Sequence, residues 1–534
     1  MSHLTAVECL AALRDLRGKD AEMLSGEFDS MLDGLLHSRP PAWQHLDVLE
    51  TMREPLARAL DTLSLRYAAK PVAPASPEND TLLKVVSVWS RMADAYALIA
   101  QDTALGNSAT THALLAQRRT DCHVRSLVEY MRARRAAAPG LWAALHESLT
   151  DAEARGFAYT RATDPLNPWR AQSAAEAHSV ALLIDLSGPF GRSPREFEQI
   201  WYCARHFAPY CRLLPEEGHA DDERQAAYGL DPQSDRGLRP MATMSRLEGV
   251  RRFDSTELAE RFREVTTRIR QRQSVADLDL DPSVGVEEAV RLLLTLYRPW
   301  ARGTAGRRFT RRPGKGQVEL TGNWTAIGFY VSGKPFRQPG IFGAAGSIDN
   351  DMRLLTFGER VADVAQDPGA AAQRVAEQRG YFCTQWEILD ESLGGFRLRR
   401  RSSADRLEHR ELIAIRPHDM KNYLLGMVSW VMYREDGSLE AGIKLLEGIP
   451  TGIAVRSLGA GKNEHDLAFQ QAFQLPATPA IDSPATLVLP AGYFQPFRAV
   501  EVFDDELHSY RLLELVNRGA DFDQATFEAV KVAA

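Results

Sequence analysis

The chain has 534 residues, 44% of them hydrophobic and 25% charged, with a net charge of −7. That is ordinary for a globular protein of roughly two to four domains, and it excludes a generally basic nucleic-acid coat, though not a local basic site. The five cysteines form no CxxC pair, which argues against a disulfide framework or a structural zinc site; without a signal-like N-terminus or an apolar run of membrane-spanning length, the expected location is cytoplasmic, with no membrane span.

Residues 1–300 read as an all-α module of one or two subdomains. In "LTAVECLAALRDL", Val7, Leu10, Leu13 and Leu16 recur at helical spacing, and in "PPAWQHLDVLETM" Leu46, Leu49 and Met52 share a face behind two prolines suited to a first turn. "SPREFEQIWYCARHF" opens with Ser193 as an N-cap and Glu196 three residues on, the pattern of a capping box. Cys203, His206 and Cys211 lie along the same stretch at spacings that suit a core face better than a metal site. Short strands are expected near 240–247, and "VEEAVRLLLTLYRPW" is a last helix stopped at Pro299.

The pattern then changes. Residues 301–316 form an arginine-rich linker, and "RRFTRRPGK" at 307–315 places Arg307, Arg308, Arg311 and Arg312 beside glycines. "GQVELTGNWTAIGFYVSG" alternates and is rich in β-branched and aromatic residues, predicting one or two strands. A glycine- and proline-broken stretch comes next, then a helical piece, "DPGAAAQRVAEQRG", and strands resume at "YFCTQWEIL". Asp436-Gly437 between apolar runs predicts a hairpin turn. Residues 461–534 read as strands and a C-terminal helix. The expected fold class is α+β multidomain: a large all-α N-terminal module, then an antiparallel β-barrel at 317–460 with an insertion at about 335–380, then a β/α extension.

No nucleophile–base pair, phosphate loop or metal-ligand set stands out, so neither catalysis nor a cofactor is expected. "GAGKN" at 459–463 lacks the Ser or Thr that a phosphate loop needs after its lysine. The basic runs at 307–312 and 397–401 remain. Arginine offers a planar fork of donors that fits phosphate, stacks on purines and reads the guanine edge. In "DESLGG", Asp390 can accept from a guanine N–H edge, Ser392 can donate or accept, and Gly395 lets the backbone approach closely.

These residues resemble the PilZ domain, whose signature is RxxxR ahead of a β-barrel and (D/N)xSxxG at a strand end inside it. RxxxR is read as Arg307–Arg311 or Arg308–Arg312, and DxSxxG as Asp390, Ser392 and Gly395, with Arg397 beside them. The similarity covers about residues 303–460. The two motifs lie farther apart than is usual, which the insertion accounts for, since closure cost grows only logarithmically with loop length. The resemblance implies a bacterial receptor of cyclic di-GMP, whose phosphates and guanines the arginines grip. The helical module would then pass the signal to an unidentified protein partner. The alternative is a protein–protein interaction scaffold whose PilZ-like barrel no longer binds nucleotide. Acidity and the lack of an aromatic platform disfavour a nucleic-acid partner.

Overall fold

The computed structural model describes residues 6–14, 19–68, 71–102, 108–215, 228–244, 249–271, 284–303, 311–339, 368–401, 407–458, 468–479 and 482–530. It divides into two compact units, Met1–Arg307 with Met432–Gly437, and Arg308–Val431 with Ser438–Ala534. No helix among the described residues is long and apolar enough to cross a membrane.

The first unit is mainly helical. Its helices are α1 (Ala6–Arg14), α2 (Ala21–Ser38), α3 (Ala42–Ser64), α4 (Pro77–Ala100), α5 (Ala109–Arg132), α6 (Leu141–Ala154), α7 (Ala174–Leu186), α8 (Pro194–Phe207), α9 (Thr256–Arg270) and α10 (Val286–Tyr297). Small strands interrupt them: β1 (Ala162–Thr163) pairs with β2 (Ala171–Gln172). A four-stranded sheet is built from β3 (Arg212–Pro215), β4 (Tyr228–Leu230), β5 (Arg239–Pro240) and β6 (Arg251–Asp254). The helix starts are written in the sequence. Ser193 and Glu196 form the expected capping box, and Ser173 with Glu176 forms a second, each satisfying two N–H groups that the first turn leaves unpaired.

Two apolar cores hold this unit. One gathers α1 to α4 around Trp89 and Tyr96; the other gathers α5 to α10 around Phe207, Phe262 and Trp300, whose indole N–H donates to the Leu183 carbonyl at 2.8 Å. Central α5 is buried along most of its length although it is rich in charge, and its charges are met in kind. Arg118 reaches Glu50, Asp121 lies between Arg53 and Arg125, and Arg132 reaches Glu198. Such buried pairs add little net stability because desolvation offsets much of their attraction, but losing one partner strands the other's charge.

The second unit contains two antiparallel barrels. The first uses β7 (Arg312–Pro313), β8 (Gln317–Thr321), β9 (Thr384–Ser392), β10 (Gly395–Arg400), β11 (Leu412–Pro417), β12 (Leu424–Tyr433) and β13 (Leu439–Leu445). Its order is β10-β13-β12-β11-β8-β9-β7, and β9 also pairs with β10, so the sheet closes on itself. Trp386, Leu398, Ile413 and Val428 fill its interior. The second barrel, β14 (Thr451–Ser457), β15 (Gln470–Leu475), β16 (Thr486–Pro490), β17 (Ala499–Phe503), β18 (Leu507–Arg518) and β19 (Phe522–Ala529), is closed in the order β14-β15-β16-β19-β18-β17. Of the two described helices in this unit, α11 (Trp324–Ser332) buries Ile327 in a core shared by both barrels, and α12 (Pro368–Arg379) precedes β9.

Three expectations differ from this picture. "NWTAIGFYV" is a helix, not a strand: the Asn323 side chain caps it by accepting from the Thr325 and Ala326 N–H groups, and the helix is mostly apolar because the barrels cover it. The C-terminal helix expected within 461–534 does not form among the described residues; residues 507–518 are instead a long strand, because β17 and β19 both need it to close the second barrel. The segment after the first barrel is therefore a barrel in its own right. Most of the expected insertion, residues 340–367, lies outside the described residues.

A candidate anion-binding face on the first barrel

The β9–β10 hairpin carries DxSxxG. It turns tightly through Leu393 and Gly394, so that Gly395 faces Ser392, Phe396 faces Glu391 and Arg397 faces Asp390. Glycine at 395 is required on two counts. Its φ is +150°, and a β-carbon there would overlap the Ile443 carbonyl oxygen on β13. The Ser392 hydroxyl donates to the Gly395 carbonyl at 3.3 Å, which closes the turn.

β7 runs along the other edge of β9, with Arg312 opposite Glu391 and Pro313 opposite Asp390. This pairing brings the arginine strip to the hairpin. Arg311 Nη1 donates to Asp390 Oδ1 at 2.5 Å, and Arg397 Nη1 lies 3.8 Å from the other carboxylate oxygen. Arg397 also donates through Nη2 to Glu440 Oε2 at 2.8 Å, and Arg399 Nη2 donates to Glu440 Oε1 at 3.0 Å. The result is a row in which guanidinium and carboxylate alternate: Arg311, Asp390, Arg397, Glu440, Arg399. The arginines are about a third exposed, whereas Glu440 is fully buried. Three cations against two anions leave the row net positive and open to solvent on the arginine side, which suits a multidentate anion.

Beyond Arg399 the row runs into an open cleft of about 690 Å³. Lys315, Arg399, Arg400 and Arg401 bring four positive charges to its lining, against the single carboxylate of Glu387. Burial lowers the pKa of Arg400, whose guanidinium lies 6.0 Å from the Trp386 ring centre. Among the described residues, no group of three or more His, Cys, Asp or Glu side chains is placed to hold a metal.

Of the residues expected from sequence, Arg311, Arg312, Asp390, Ser392, Gly395 and Arg397 fall on this one hairpin and its neighbouring strand. Arg307 and Arg308 lie outside the described residues. Sequence reasoning passed over Arg399 and Glu440. Strand alternation inside "RLRRR" would have found Arg399, since residues two apart share a face. Glu440, the one carboxylate of its strand, shows its role only once β13 pairs with β10 and sets it opposite Arg399.

Two family models match the chain. "Cyclic-di-GMP receptor FimW, N-terminal domain" matches residues 7–217, and "FimW C-terminal beta-barrel domain" matches residues 453–530. The first span lies within the helical unit, and the second takes in most of the second barrel. The first barrel, with its arginine face, lies between them. No curated protein and no solved structure matches the chain.

Proposed function

Because the chain belongs to the FimW family of cyclic-di-GMP receptors, we propose that it binds this dinucleotide on the arginine face of the first barrel. The phosphates would replace Asp390 as the partner of Arg311, with Arg312 and Arg397 alongside and Arg307 and Arg308 contributed by the strip just upstream. The carboxylate freed from Arg311 would accept from a guanine N–H edge, while Ser392 and the bare backbone at Gly395 allow close approach. The observation that carries the reading is the direct contact of Arg311 with Asp390, two motif residues 79 positions apart in the chain.

The protein acts without catalysis, as a cytoplasmic effector; its five cysteines are all unpaired, as suits a reducing compartment. Its helical unit relays the ligand-bound state to a protein partner. Arg311 comes soon after α10 in the chain, so capture of the ligand bears directly on the segment that joins the two units. Isothermal titration of the full chain and of its R311A/R397A variant with cyclic di-GMP tests the site. Micromolar binding lost in the variant, with a cooperative melting transition retained despite the lost Arg397–Glu440 pair, supports it. Equal binding by both proteins places the nucleotide elsewhere and leaves the first barrel as a docking scaffold.

A further inference from the structure

The second unit holds a second cleft, of about 650 Å³, where α11, the start of β14 and the β17–β18 turn come together between the two barrels. Lys334, Arg337 and Lys421 line it, all exposed, and no carboxylate among the described residues lies in ion-pair reach of them. Tyr330 and Tyr423 form one wall, their rings 5.1 Å apart. That wall is fixed from behind. The Tyr423 hydroxyl donates to Glu319 at 2.7 Å, Arg416 donates to the same carboxylate oxygen, and the Tyr330 hydroxyl donates to the Tyr381 carbonyl. Burial opposes the charge on Glu319, but its bonds from Tyr423 and Arg416 prevail and hold its pKa below the ordinary value. On the rim, exposed Asp505 adopts a positive φ of 98°, a conformation that residues with a β-carbon seldom take.

Unpaired cations, a rigid aromatic wall and an exposed carboxylate in one cleft match the phosphate, the base face and the base N–H edge of a nucleotide. We infer that this cleft is a second ligand site, distinct from the arginine face, for a nucleoside monophosphate. The phosphate sits among Lys334, Arg337 and Lys421, the base lies against the tyrosine wall, and Asp505 accepts an N–H of the base. The site is built from both barrels, so occupancy favours one packing of the second barrel on the first.

The test uses the full chain with guanosine monophosphate as probe, read by isothermal titration at two salt concentrations, with inorganic phosphate and guanosine as controls. The expected result is salt-sensitive binding of the monophosphate, at least tenfold tighter than either control. K334A/K421A should weaken it roughly tenfold or more, and leave both cyclic di-GMP affinity and melting temperature unchanged. R311A/R397A should leave monophosphate binding intact. No binding at millimolar probe overturns the inference. So does monophosphate binding lost in R311A/R397A, or cyclic di-GMP affinity lost in K334A/K421A, because either result means a single site. Failure of cyclic di-GMP to bind the intact chain, with the monophosphate pattern preserved, overturns the arginine-face reading and leaves this one standing.

Discussion

Replacing Arg311 by alanine removes one guanidinium from the arginine row and leaves the strands beneath it alone. A charge-assisted hydrogen bond from arginine to phosphate contributes about 1.5–3 kcal/mol. In the free protein, however, Arg311 already pairs with Asp390 at 2.5 Å, both groups a fifth to a third exposed. Breaking a partly exposed pair costs about 0.5–1 kcal/mol, so the net contribution to binding is about 1–2 kcal/mol. R311A should therefore weaken cyclic di-GMP roughly 5- to 30-fold. Stability should fall by no more than the worth of the pair. Titration calorimetry reads the affinity and thermal melting checks the fold. The double variant R311A/D390A completes a cycle whose coupling should be about 0.5–1 kcal/mol, because the pair is broken in either single variant. An R311A protein that melts normally and binds within twofold of the parent would refute the assignment of Arg311 to the phosphate.

Three other outcomes are expected from the same geometry. G395A forces a β-carbon onto the Ile443 carbonyl at a φ of +150°, and should destabilise the first barrel by about 3 kcal/mol or more, read as a lower urea midpoint in tryptophan fluorescence. E440Q keeps the shape of a fully buried group but takes the counter-charge from Arg397 and Arg399; the expected loss is about 2 kcal/mol, and an unchanged guanidinium chloride midpoint would show that those ion pairs do not form. Burial, helped by Asp521 and Glu408 and opposed by the Glu408 N–H, raises the Glu411 pKa from 4.5 to about 7. A carboxyl whose folded pKa is raised stabilises most while protonated, so that contribution, at most about 3 kcal/mol, is complete below about pH 4.5 and lost as pH rises through 7. The melting temperature of the parent should therefore fall relative to E411Q between pH 5 and 7.5, and parallel curves would disprove it.

Local signals made much of the helical half legible. The capping box at Ser193 and the hairpin at Asp436-Gly437 depend on residues within a turn of each other, whereas the expected stop at Pro299 is only partial: α10 ends at Tyr297, but the chain continues through Pro299 as a π-helical turn, Arg298–Arg302. Where the reading departed from the structure, the deciding contacts were distant. α11 is covered by both barrels, so it lacks the polar face that marks a helix by its periodicity, and its local cues were the Asn323 cap at one end and the left-handed Gly333 at the other. In β18, Leu512, Leu513, Leu515 and Val516 imitate a helical face, yet the strand is fixed by partners on both sides. The split into two barrels is likewise a matter of which strands pair, and the composition of the strands on either side of residue 450 does not differ enough to show it.

The candidate site shows the same division between residue type and pairing. The motifs pointed to guanidinium and carboxylate groups, but not to the fact that in the free protein they hold each other. That fact changes what the face can select. A ligand phosphate that takes the Arg311 bond now made to Asp390 must displace that carboxylate, so a small anion that meets this one guanidinium would gain little. A ligand with two phosphates on a rigid ring can engage Arg311 and Arg397 together, and its guanine can take up the Asp390 carboxylate that the phosphates displace. On the proposed reading the row would favour a ligand whose phosphate and guanine replace both halves of the partly exposed Arg311–Asp390 pair, while buried Glu440 keeps its hold on Arg397 and Arg399.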